Sequence, residues 1–102
     1  MIRKGRELAE KIYAEMQDMD FLDYEATEMD INFLCKVIHS LFFNKKKLLK
    51  MCQELNDSNR SKFNSEEIKE SCDEIYFSMK HNGDSFVCFM TEYFLCVGSF
   101  KL

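Results

Sequence analysis

The sequence predicts a helix-rich α/β or α+β domain with three to four helices and one or two C-terminal strands. Three observations lead there. Asn64-Ser65-Glu66-Glu67 opens a helix along which Ile68, Cys72, Ile75, Tyr76 and Met79 set one apolar stripe. His81-Asn82-Gly83-Asp84 then breaks that pattern and leads into Ser85-Phe86-Val87-Cys88-Phe89-Met90, a short apolar run bounded by a turn signal. Such a run reads as a buried strand, and a helix feeding it through a polar turn is half of an α/β unit. With no proline and only 3 glycines in 102 residues, the rest of the chain has few breakers and favours long helices. The alternative is a small all-α bundle in which residues 85–97 are helical, or pair as a lone hairpin.

From the N-terminus, Arg3 to about Met19 reads as a helix, with Leu8, Ile12, Met16 and Met19 on one face and Tyr13 beside it. Glu7 and Lys11 form an i,i+4 pair in the favourable order. The segment from Asp18 to Ala26 is acidic and reads as a loop. It lacks the alternating oxygen ligands and central glycine of a calcium loop. Thr27 to Phe43 is the best-marked helix: Thr27 is a good N-cap, and Glu28 and Asp30 sit at the positive end. Ile31, Leu34, Val37, Ile38 and Leu41 make its apolar face, widened by Phe33, Cys35 and Phe42. Lys45-Lys46-Lys47 reads as a solvated basic run complementing the dipole at the end of that helix. Leu48, Leu49, Met51, Cys52 and Leu55 continue as a short helix. Asn56 to Asn64 reads as an exposed loop, and Tyr93 to Leu102, broken by Gly98, as a second strand. Ile75 is expected to face the core, and Lys69 the solvent.

Composition narrows the classes of function. A hydrophobic fraction of 46% excludes a wholly disordered chain, and 10 Phe with 4 Tyr supply large side chains for a modest core. The formal net charge is −4, whereas a general nucleic-acid or acidic-lipid binder should be basic. Neither nucleic acid nor membrane is therefore expected as a partner. No apolar run approaches the roughly 20 residues of a membrane span, and no apolar segment follows the charged Ile2–Arg6 start as in a secretory signal. The 5 cysteines are odd in number and irregularly spaced, which points to free thiols in a reducing, cytoplasmic compartment.

Spacing alone supplies no chemistry. His39 and His81 have no Cys or His at metal-finger spacing, so no metal or other cofactor is expected. A thiolate could in principle face either histidine, but every cysteine lies in an apolar stretch, where thiols behave as small hydrophobes. There is no glycine-rich phosphate loop and no H-E-x-x-H.

Two segments resemble the large subunit of caspases, the aspartate-directed cysteine proteases. Thr27-Glu28-Met29-Asp30-Ile31-Asn32-Phe33-Leu34, with Val37, Ile38, Leu41 and Phe42 after it, is similar to the family's G-T-x-x-D-x-x-x-L helix. Ser65-Glu66-Glu67-Ile68 and Gly83-Asp84-Ser85-Phe86-Val87-Cys88 are similar to its E-E helix and its D-S-F-V-C strand, which runs into S-H-G. The resemblance divides the single domain, 1–102, into an N-terminal helix over 1–22 and a caspase-like portion over 27–102. The positions carrying that family's chemistry are changed. The substrate-binding arginine corresponds to Tyr24 and the catalytic histidine to Tyr93, and the segment with the nucleophilic cysteine has no counterpart. The resemblance thus implies a non-catalytic chain, a truncated paralogue or an incomplete caspase product. It would act in apoptosis and proteolysis regulation through contact with a caspase or another cell-death protein. No residue is assigned to catalysis, to a cofactor or to a metal. The rival expectation is an unrelated small helical protein–protein interaction domain.

Overall fold

The computed structural model describes residues 4–19, 25–59 and 62–98. These contain five helices and no strand: α1 (Lys4–Asp18), α2 (Glu28–Phe43), α3 (Lys45–Ser58), α4 (Ser65–Met79) and α5 (Asp84–Cys96). The architecture is the small helical bundle, and the expected C-terminal strands are corrected to α5.

Most helix starts are written in their first residues. Thr27 Oγ1 accepts the Asp30 N–H at 3.2 Å while the Asp30 carboxylate accepts the Thr27 N–H at 2.9 Å. Asn64 and Glu67 repeat the exchange at 2.8 and 3.0 Å. Each reciprocal pair satisfies two backbone donors left open at a helix start. Asn44 serves two helices: its N–H donates to the Leu41 carbonyl at the end of α2, and its Oδ1 accepts the Lys47 N–H at 3.3 Å. The chain therefore turns on one residue. Lys45, Lys46 and Lys47 lie in the first turn of α3, where the dipole opposes them, and not beyond a helix end that they complement.

The fifth helix starts differently. Gly83 carries φ +81° and offers no side chain to cap α5. Asn82 Oδ1 accepts the Asp84 N–H at 3.0 Å, and the buried Ser78 hydroxyl of α4 accepts the Phe86 N–H at 3.2 Å. The preceding helix thus supplies the missing acceptor. The short connection makes α4 and α5 antiparallel neighbours.

One core draws on all five helices. Leu8, Ile12 and Met16 enter it from α1, and Leu34, Val37, Ile38 and Leu41 from α2. Leu48, Met51 and Leu55 come from α3, and Cys72 and Met79 from α4. Phe86, Val87, Phe89, Met90 and Tyr93 come from α5, which packs on α1, α3 and α4. Tyr76 ties α4 to the end of α2 by donating its hydroxyl proton to the Phe42 carbonyl at 2.7 Å.

The strand reading failed on window length. A run of five apolar residues, Phe86 to Met90, cannot be told from a buried helix by periodicity. Extended to Val97, the positions 86, 87, 89, 90, 93, 94 and 97 all bury or partly bury, which is a helical spacing. Thr91 sits inside this face without penalty, because its hydroxyl donates to the Val87 carbonyl at 2.8 Å. Of the second expected strand, residues 93–96 belong to α5, and 99–102 lie outside the described residues. The Asn56–Asn64 loop begins later than expected, since α3 runs on to Ser58. Two stripe assignments also shift: Met19 lies beyond α1 and Phe33 on the outer side of α2, both exposed.

Candidate functional site

A groove with a volume of about 330 Å³ and a mainly apolar lining lies between α3, α4 and α5. Its apolar lining comes from Leu55 on α3, Ile68 and Ile75 on α4, and Cys88 and Phe89 on α5. Phe63 lines it as well. It sits in the α3–α4 connection, held there by Asn56: the Phe63 N–H donates to Asn56 Oδ1 at 2.8 Å, and Asn56 Nδ2 donates to the Phe63 carbonyl at 3.4 Å. A side-chain amide that pairs with both backbone groups of one residue fixes its position. Phe63 as a residue is nevertheless 53% exposed, so apolar surface is held at the groove and left uncovered.

Ile75 packs against the core, as expected, and also lines this groove. It is half-buried, while Cys72 and Met79 of the same helix are fully inside. Lys69 is exposed, as expected. No apolar pattern marks Phe63 in the sequence, because it lies among Asn, Ser and Lys residues. A lone aromatic inside a polar loop was the available signal.

Glu74 and Glu92 stand at the groove as exposed carboxylates on α4 and α5. Burial first, and then the Glu54 carboxylate on α3, hold the Tyr93 phenol above its ordinary pKa. Cys52, also on the groove wall, is pushed up to about 12, first by burial and then by the neighbouring Cys72. Burial raises Cys72 as well. These two thiols stay protonated at neutral pH and act as core residues.

The histidines fall away from this groove. His81 lies in the α4–α5 turn, its ring 4.0 Å from that of Phe77. His39 shares a face of α2 with Cys35, one turn before it, in a shallow recess with Asn32 and Lys36. Both side chains lie close to Gly5 of α1: a β-carbon built there would stand 3.1 Å from Cys35 Sγ and 3.5 Å from His39 Nε2. This is the one Cys–His juxtaposition among the described residues for which the structure gives such a shared neighbour. It lies in mid-helix, so the Cys35 N–H is committed to the helix ladder and is not free to stabilise an oxyanion. Among the described residues, no three His, Cys, Asp or Glu side chains come together to hold a metal ion.

The positions singled out by the caspase resemblance take structural roles or lie outside the description. Tyr93, at the histidine position, is a buried core residue, 3% exposed. Tyr24 lies outside the described residues. The segment resembling the D-S-F-V-C strand is the first half of α5, so this part of the likeness loses its structural support. The segment from Thr27 is a helix, as in the family, but the same residues also make an ordinary capping box. No family model, curated protein or solved structure matches the chain.

Proposed function

We propose that the chain is a small helical protein–protein interaction domain whose binding surface is the α3–α4–α5 groove. The observation that carries this reading is Phe63, pinned by Asn56 over an apolar groove while half its surface stays open. Phe63 adds exposed aromatic surface to the apolar lining of Leu55, Ile68, Ile75 and Phe89, and a contiguous apolar patch of this kind suits a partner contact. A groove of about 330 Å³ is at the small end of ligand clefts, a size for a few side chains of a partner.

No described helix is long and apolar enough to cross a membrane. The net charge of −4 further favours a protein partner over nucleic acid, and the five free thiols suit a cytoplasmic setting. Selection of a displayed random-peptide library on the intact chain tests the reading. Binders that lose affinity for a folded Phe63→Asp variant are the expected result. Binders indifferent to that change would move the binding surface elsewhere.

A further inference from the structure

We propose that the groove receives an amphipathic helix of a partner protein, carrying two apolar anchors one to two turns apart with a Lys or Arg beyond each end. This rests on the reading of the groove as a binding surface, and it follows from three features of the walls.

The first concerns the backbone. All three walls are helices, whose N–H and C=O groups are already paired within the helix. An extended peptide laid in the groove would find no ladder to join, and would bury unpaired backbone groups at a cost in affinity. A helical occupant satisfies its own backbone and presents only side chains. Among the described residues there is no strand, and hence no sheet edge as an alternative dock.

The second is length. The groove follows α4 from Ile68 to Ile75 and α5 from Ser85 to Glu92. Seven residues of helix rise about 10 Å, so each wall spans two turns. Anchors at i and i+4, or at i and i+7, fit that span, and the volume admits a pair of large side chains with little to spare.

The third is charge. Because α4 and α5 run antiparallel, Glu74 stands near the Ser85 end of the groove, and Glu92 near the Ile68 and Phe63 end. Neither carboxylate has a hydrogen bond or ion pair among the described residues, unlike Glu10, Glu28 and Asp73, which meet Arg6 or Lys45. The remaining polar groups of the lining, Asn56, Asn59, Ser71 and Ser85, are neutral. The rim is thus acidic at both ends around an apolar floor. Its complement is apolar in the middle and basic at both ends, a pairing that fixes register and speeds encounter.

The test combines library selection on the intact chain with charge reversal. Peptides that bind the native chain and lose binding to Phe63→Asp define groove ligands. Enrichment of Lys or Arg outside an apolar pair at i,i+4 or i,i+7 is expected among them. Glu74→Lys with Glu92→Lys, both at exposed positions, should weaken such a peptide at least tenfold. The same peptide with its basic residues changed to Glu should regain that loss on the doubly changed chain, and 0.5 M salt should shrink both effects. Groove ligands with neutral or acidic flanks, or affinities unmoved by the reversal, would overturn the charge argument and leave the interaction reading standing. Absence of any groove ligand would overturn both. Self-association of the chain alone, abolished by Phe63→Asp, would make a second copy the occupant and overturn the proposal.

Discussion

Gly83 carries more of the fold than its size suggests. Its φ of +81° disfavours any residue with a β-carbon, and a β-carbon built there would overlap Leu8 Cδ2 of α1. Backbone strain and collision with a core side chain act in the same direction. Gly83→Ala should therefore destabilise the chain by roughly 2 kcal/mol or more, in contrast to Gly98, where φ is also positive but the space is open. Urea unfolding of the two alanine variants side by side reads the difference, and equal midpoints would show that Leu8 yields freely. Cys52 gives a second residue-scale expectation. In the fold its thiol keeps its proton up to about pH 12, whereas in the unfolded chain it titrates near 9.0. The folded chain holds the extra proton between those values, so stability is unaffected below about pH 9 and falls as pH rises above it. The slope is at most about 1.4 kcal/mol per pH unit. Denaturation series at pH 8 and pH 10 on the native chain and on Cys52→Ala isolate this contribution, which the variant should lack. Alkylation of the native chain at pH 8 should reach the exposed Cys88 and Cys96 well before Cys52 and Cys72.

At the scale of elements, α5 decides the architecture. Phe86 is fully buried at its first turn, with its N–H held by Ser78, so Phe86→Ala should cost about 3–5 kcal/mol. Ile75→Ala should cost nearer 1 kcal/mol, because that side chain lines the open groove and leaves no closed cavity. Thermal melts of the two variants rank them, and a larger loss at Ile75 would place it inside the core after all. The contrast also shows where the sequence was legible. Helices α2 and α4 announce themselves twice, through capping residues Thr27 and Asp30 or Asn64 and Glu67, and through an apolar stripe. Helix α5 announces neither. Its cap is borrowed from Ser78 across a turn, a contact visible only after folding. Its face is so wide, with Phe86, Val87, Phe89 and Met90 all inside, that no polar interval marks the helical period over a short window. The groove was illegible for a related reason. Its walls come from three helices, and its most telling residue, Phe63, lies in the connection between two of them.

Over the whole molecule, the order of contacts predicts how the chain fails when cut. Helices α1 and α2 pack together, as do α3 and α4, and α5 packs on α1, α3 and α4. Directly between the two pairs, α2 meets α3 at the Asn44 bend, and the Tyr76–Phe42 bond links α4 to the end of α2. The core of the bundle is therefore closed mainly by the α5 side chains. The radius of gyration of 13.0 Å matches the roughly 13 Å of a folded domain of this length, so little slack remains for another arrangement. Among the described residues there is no strand, and hence no open sheet edge through which copies of the chain would associate. The intact chain should unfold in one cooperative step at a midpoint that does not move with concentration. A chain ending at Asn82 removes Phe86, Val87, Phe89, Met90 and Tyr93 from the core and exposes the faces of α1, α3 and α4 that covered them. That truncated chain should keep part of its helical circular dichroism, lose its cooperative transition and associate as its concentration rises. Retention of a sharp, concentration-independent transition would mean that the two helix pairs close a core without α5, and that its central place in the packing is not a central place in the stability.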